Sequence, residues 1–289
     1  MSPCIRLSRT RRSSIRYLSD VREMTNRRFS LHENGSHRFI DTNPESSDCP
    51  VVLLHGMVGD VENWSETTRF LSECGYRVIV PVLPVYTIRL ADANLGGLVD
   101  YVQEFLEALS VSRCVLGGNS MGGQLAVHFT AKYPELIERL VLSGTSGITE
   151  VDLGSSIVRR QDRAYLKVRI AKSFYNPELC TESLLDEVIE IINNRENVMR
   201  LIRFARSVQR DRIGELLSLI QIPTLVIWGR EDMITPVRVA HTLRDGIRES
   251  QLHVIDRCGH APMMEHPEVF NRLVHEFIRQ PEVVAVASG

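Results

Sequence analysis

Six consecutive residues, Gly118-Asn119-Ser120-Met121-Gly122-Gly123, place a serine hydroxyl in the pattern G-x-S-x-G. The pattern carries chemistry when a strand ends before it and a helix begins after it. The turn then forces the serine into a strained backbone and lifts its hydroxyl clear of the sheet, with only glycine small enough at 118 and 122 to let the chain pass. Here the apolar run Cys114–Gly117 precedes the serine and a helical stretch, Met121–Tyr133, follows it. The N-terminus of that helix turns free N–H groups toward the site, where negative charge develops on a carbonyl oxygen under attack. A plain glycine-rich turn uses the same letters, so the partner residues decide between the two.

A serine at its ordinary pKa is a poor nucleophile, and it needs a base to take its proton and a third group to hold that base in the right tautomer. Asp232, in Gly229-Arg230-Glu231-Asp232, directly follows the strand-like run Thr224–Trp228. His260, in Cys258-Gly259-His260, follows the run Gln251–Ile255. Serine, acid and histidine thus come in the chain order that the strand-turn-helix serine motif requires. Glu231 competes for the acid role, and Asp232 matches the pattern better. Of the nine histidines, His32, His37, His128, His241, His253, His266 and His275 fall in predicted strands, helices or their exposed faces, whereas His260 alone follows a late strand in a glycine-flanked loop. A tetrahedral intermediate also needs two N–H donors for its oxyanion. Met121, next to the serine, and Met57, beyond the tight exit His55-Gly56, occupy the two positions.

The elements that must hold these residues are legible as alternating strand and helix. Arg28–His32 and His37–Asp41 read as a hairpin turning at Glu33-Asn34-Gly35. Val51–Leu54, Arg77–Val80, Cys114–Gly117, Leu140–Ser143, Thr224–Trp228 and Gln251–Ile255 read as strands. Trp64–Cys74, Leu95–Leu109, Met121–Tyr133, Pro236–Ile247 and Glu265–Ile278 read as helices, with Pro236 in a first turn where its missing N–H costs nothing. Such βα repetition implies an α/β fold with a mostly parallel sheet covered by helices on both faces. Strand patterning stops after Gly147, and charged helical periodicity runs to Leu219. The expected organisation is a disordered extension over 1–27, a core over 28–147 and 220–280, a helical cap over 148–219 and a tail over 281–289. Cap residues such as Phe174, Tyr175, Ile189, Ile192, Met199, Leu201, Ile202 and Phe204 are expected to pack cap helices together more than to line a cleft. Arg200, Arg203, Arg206 and Arg210 are expected to form a solvated face.

Composition narrows the partners. The net charge of −2, from 34 basic and 36 acidic residues, gives no field to attract nucleic acid or an anionic membrane. No run approaches the roughly 18 apolar residues of a membrane span. Six scattered cysteines without a CxxC pair argue against a zinc or dithiol site and suit reduced thiols in a cytoplasmic protein. The arginine- and serine-rich start is a solvated tail or upstream extension, with Met24 as a plausible first residue and an organelle transit peptide as the alternative.

Leu54-His55-Gly56, Trp64, Gly75-Tyr76-Arg77-Val78, the Ser120 motif, Gly229–Asp232 and Cys258–His260 together resemble the α/β-hydrolase superfamily over roughly residues 28–279. The resemblance implies an eight-stranded sheet, a helical cap after the sixth strand, and hydrolysis of a small-molecule acyl substrate through an acyl-enzyme without metal or organic cofactor. Within the superfamily, the Ser120 motif with Asn119, and the stretch Cys258–His266, are similar to the meta-cleavage-product hydrolases, which split carbon–carbon bonds in vinylogous diketones. Asn119 and Gly56 are the positions expected to lie against substrate. The chain departs from that branch at Met57-Val58-Gly59-Asp60, where a glycine- and proline-rich loop is usual, and at Ala261, where tryptophan is usual. With these departures, carboxylic-ester hydrolysis is the leading expectation, carbon–carbon hydrolysis its alternative, and a non-catalytic binding protein of the same fold a third.

Overall fold

The computed structural model describes residues 29–149 and 162–281. The chain separates into Met1–Ser30 and Leu31–Gly289, and all that follows concerns the second unit. The expected extension over 1–27 with its Met24 start, residues 150–161 of the insertion and the tail beyond residue 281 lie outside the described residues.

Strands β1 (Leu31–Asn34) and β2 (His37–Asp41) form the opening antiparallel hairpin. Its turn lies later than the predicted Glu33-Asn34-Gly35. Glu33 and Asn34 still pair with Arg38 and His37, and the reversal is made at Gly35, whose φ of +60° suits a residue without a β-carbon. Strand β3 (Val51–Leu54) is followed by a 3-10 turn (Val61–Trp64) and helix α1 (Ser65–Glu73). The predicted helix start at Trp64 is the end of that turn, which Asp60 caps by accepting from the Glu62 N–H at 2.8 Å. There follow β4 (Val78–Pro81), α2 (Leu95–Ala108), β5 (Cys114–Asn119), α3 (Met121–Lys132) and β6 (Ile137–Ser143).

Between β6 and the next strand lie α4 (Arg163–Ala171), α5 (Glu182–Asn193) and α6 (Arg195–Arg210). Then come β7 (Thr224–Gly229), α7 (Arg238–Gly246), β8 (Ser250–Ile255), the short α8 (Pro262–Glu265) and α9 (Pro267–Ile278). Pro236 lies two residues ahead of α7 rather than in its first turn, where its carbonyl accepts from the Val239 N–H at 2.8 Å. The single helix predicted over Glu265–Ile278 is two helices. Pro267 disfavours helical backbone at the residue before it, and His266 accordingly leaves the helix at φ −133°, ψ 57°.

The eight strands form one sheet in the order β1-β2-β4-β3-β5-β6-β7-β8, antiparallel at β1/β2 and β2/β4 and parallel from β4 onward. This is the expected α/β architecture. Strands β3 to β7 are buried along their whole described length or nearly so, which is why they read as apolar runs rather than alternating ones. In register, Gly118 lies opposite Leu54 and Asn119 opposite Ser143, so the loops leaving β3, β5 and β6 start side by side at the carboxyl edge. That edge is where parallel α/β sheets build their sites.

Candidate active site

Ser120 sits between β5 and α3 with φ 59° and ψ −124°, one of three non-glycine residues with positive φ among the described residues. Backbone bonds on both sides hold the conformation: its N–H donates to Ser143 O at 3.0 Å, and its carbonyl accepts from Gln124 and Ser146 at 3.1 Å each. The flanking glycines answer to crowding. A methyl group on Gly122 would lie 2.3 Å from Leu54 O and 2.6 Å from His55 O, and one on Gly118 would lie 2.3 Å from Gly122 O. The first turn of α3 therefore rides directly over the exit of β3. The loop leaving β3 passes beside the serine, since a methyl on Gly56 would lie 3.7 Å from Ser120 Oγ. The serine is partly exposed.

That loop is locked by His55. Its Nε2 lies 3.0 Å from the Leu83 N–H, which can only donate, so the imidazole proton resides on Nδ1 and is donated to Gly56 O at 2.8 Å. Burial of the ring drives the His55 pKa down and keeps it neutral. With the Gly56 carbonyl held toward His55, the N–H of Met57 across the same trans peptide points the opposite way. Tyr86 fixes the next carbonyl, donating its hydroxyl to Met57 O at 3.1 Å, and burial holds this phenol far on the protonated side. Met121 opens α3, where first-turn N–H groups have no intrahelical acceptor.

Asp232, in the loop after β7, is 5% exposed, and His260, in the loop after β8, is 8% exposed. Asp232 Oδ1 accepts from the Ile234 and Thr235 N–H groups at 2.8 and 2.9 Å, and Oδ2 accepts from the Thr235 hydroxyl at 2.8 Å. The same Oδ2 is 2.9 Å from His260 Nδ1, with Thr235 Oγ1 at 3.2 Å. Both neighbours of Nδ1 accept, so Nδ1 carries the proton and Nε2 is left with a lone pair. Trp228, fully buried on β7, donates its indole N–H to Thr235 O at 2.8 Å and holds the acid's loop from below. The competing carboxylate, Glu231, is spent elsewhere: it accepts from the Cys258 N–H at 3.0 Å.

Asn119 joins the nucleophile side to the histidine side. Its Nδ2 donates to Ser143 O at 3.1 Å and to His260 O at 3.0 Å. Both N–H bonds are thus directed at protein carbonyls, which leaves only Oδ1 for the substrate contact expected of this residue. Among the remaining histidines, His37 packs against Tyr101 and Phe105, His128 meets Asp211 O at 2.8 Å and His266 meets Arg257 O at 2.9 Å, while His241 and His253 are exposed. Thr235 and Tyr86 drew no notice in the sequence. Thr235 has a local signal, a threonine three residues after the acid, while Tyr86 has none.

In the insertion, Phe174, Ile192, Leu201 and Phe204 are buried, whereas Tyr175 and Met199 are exposed. Along the arginine row on α6, Arg203, Arg206 and Arg210 are exposed, as a solvated face requires, and Arg200 is only partly so. Arg200 Nε donates to Ile88 O at 2.8 Å and Arg203 to Ala91 O at 3.1 Å, so these side chains tie the insertion to the segment ahead of α2. A carbonyl-rich loop within reach gives a guanidinium a better partner than water alone.

This sheet, with a strained serine at its centre and a paired acid and histidine beyond it, is the architecture of a hydrolase. The chain belongs to the alpha/beta hydrolase family, whose model matches residues 51–273. It is 33% identical over 254 residues to a 2-hydroxy-6-oxononadienedioate/2-hydroxy-6-oxononatrienedioate hydrolase of Burkholderia vietnamiensis, covering 80% of this chain and 87% of that one. The hydrolase of the same name from Escherichia coli K12 is 29% identical over 286 residues, covering 92% and 99%. Among solved structures, a meta-cleavage product hydrolase from Pseudomonas fluorescens superposes with a TM-score of 0.71 at 27% identity, covering 84% of this chain and 93% of that one. An alpha/beta hydrolase from a lagoon-sediment metagenome superposes at 0.70 with 30% identity, covering 86% and 97%. Among the described residues, no helix is long and apolar enough to cross a membrane.

Proposed function

We propose that this hydrolase cleaves a carbon–carbon bond in a vinylogous diketone of the meta-cleavage type, with Ser120 as nucleophile, His260 as base and Asp232 as the acid that orients it. The observation that carries the reading is full-length similarity to dienedioate hydrolases, spanning 87% and 99% of the relatives' own chains. Its steps draw on the groups already described. Ser120 Oγ adds to the ketone carbon as His260 Nε2 takes its proton, and the Met57 and Met121 N–H groups hold the oxyanion. The carbon–carbon bond then breaks, its electron pair is delocalised into the conjugated carbonyl, and the imidazolium returns the proton to the departing fragment. Water, deprotonated by the same imidazole, releases the carboxylic acid from Ser120. The helices between β6 and β7 act as a cap over the site.

Ester hydrolysis is the second reading, and Ala261 and the Met57-Val58-Gly59-Asp60 loop favour it as departures from the carbon–carbon branch. The same three residues serve both reactions, so substrate choice separates them. The test compares kcat/KM on a ring-fission 2-hydroxy-6-oxo-dienoate with that on short p-nitrophenyl esters, for wild type and Ser120→Ala. The dienoate is expected to be consumed about tenfold faster or more, and Ser120→Ala to lose about a thousandfold on either substrate. Faster ester turnover selects the second reading. Undiminished turnover by Ser120→Ala removes the serine from both.

A further inference from the structure

One carboxylate next to the site ties together two segments far apart in sequence. Glu265, the last residue of α8, directs Oε1 at the N–H groups of Tyr175 and Asn176, at 2.8 and 3.0 Å, and Oε2 at the N–H of Gly259. The first pair belongs to the segment that follows α4 in the insertion. The third donor precedes His260. A peptide bond between the same two segments completes the connection, the His260 N–H donating to Ser173 O at 2.8 Å. The backbone of His260 is therefore held at its N–H by the insertion and at its carbonyl by Asn119, while its side chain is held by Asp232.

Three N–H donors converging from two directions require an acceptor at both ends of one planar group. A carboxylate meets that demand, whereas an amide of the same shape sets an NH2 against at least one donor. Bonds to a charged acceptor are also the strong ones. We propose that Glu265 is a positioning residue for His260, clasping the insertion to the loop that carries the imidazole so that the two are set in place together. The proposal rests on His260 being the base, and its test separates the two ideas.

The test uses the full chain with Glu265→Gln and with Glu265→Asp, which keeps the charge but shortens the reach by one methylene. Two quantities are read: amide hydrogen exchange across residues 173–176 and 259–260, and the rate at which a small fluorophosphonate labels Ser120, per folded molecule. The probe is small, so its rate follows activation of the serine by His260 more than contacts with the insertion. Glu265→Gln is expected to raise exchange in both segments by about tenfold or more, as loss of charge-assisted hydrogen bonds allows, and to slow labelling about tenfold. Glu265→Asp is expected to fall between wild type and Glu265→Gln on both, and it decides the matter if Glu265→Gln does not fold. Faster exchange with unchanged labelling overturns the proposal and leaves Glu265 a structural residue. Labelling of His260→Ala as fast as wild type overturns the base assignment itself. That failure shows in a background where Glu265 is intact, so it is not confused with the other.

Discussion

Replacing Gly144 by alanine would put a methyl group 2.8 Å from His260 O, 2.9 Å from His260 Nδ1 and 3.0 Å from Asn119 Nδ2. Ordinary contact begins at 3.4 Å, so all three atoms are short of room by roughly half an ångström. They are the atoms that fasten the histidine to Asp232 and to Asn119, and relief must come from moving them. Productive catalytic geometry tolerates about 0.5 Å, and a 1 Å misplacement costs about a hundredfold, so kcat is expected to fall about tenfold. The backbone adds a separate effect. Gly144 has φ +51°, where a β-carbon costs about 1–2 kcal/mol of stability. Gly35→Ala isolates that second effect, because Gly35 has φ +60° with nothing within 4 Å of the added methyl. In urea unfolding both variants are expected to lose stability, Gly144→Ala the more because crowding adds to the shared backbone cost, but only Gly144→Ala loses kcat in titrated turnover assays. If Gly144→Ala keeps kcat within about twofold of Gly35→Ala, the histidine is not held where the structure puts it and the reasoning fails.

Other perturbations test other contacts. Asp232→Asn is expected to lower kcat by about 10³–10⁴, as mispositioning the tautomer does in other serine triads, and a loss under about tenfold would argue against the acid role. Thr235→Val removes the hydroxyl that lies 2.8 Å from Asp232 Oδ2 and is expected to cost about 1 kcal/mol in chemical unfolding, with a few-fold loss of kcat. Burial lowers the pKa of both His37 and His55 from 6.5, so the unfolded chain takes up protons that the folded chain refuses. Their contribution is present above pH 6.5 and is lost as pH falls toward their folded values, by at most about 1.4 kcal/mol per pH unit for each. Urea midpoints between pH 8 and pH 5 read this out, and a flat profile for the His37→Phe, His55→Gln double variant beside a sloping wild type confirms the source.

Ser120, Met57 and Asp232 are legible because each follows an apolar run short enough to be a buried strand, whereas His260 follows β8, which alternates between exposed and partly buried residues. Val51–Leu54 and Thr224–Trp228 point directly to the loops carrying Met57 and Asp232. Turn and helix boundaries are less so, as over Glu265–Ile278, where apolar periodicity runs on past the break that Pro267 imposes at His266. Residues whose role depends on contacts across the chain left no pattern. The span between Glu265 and Tyr175 is 90 residues, and that between Tyr86 and Met57 is 29, so neither contact falls within a helical or strand period. Arg200 and Arg203 are a further case: helical spacing shows that they share a face, but not that the carbonyls of Ile88 and Ala91 lie within reach of it.

The contact between Trp228 and Thr235 makes the protein its own optical probe. The chain holds two tryptophans, and both indoles are sealed from water. One packs beside Phe270 with ring centroids 5.9 Å apart, and the other is bonded to the loop that carries the acid. Native emission is therefore that of sheltered indoles, poorly quenched by acrylamide. A ligand or substitution that shifts residues 232–235 changes the surroundings of one fluorophore in two, which permits titration of the site in unlabelled protein, without any turnover.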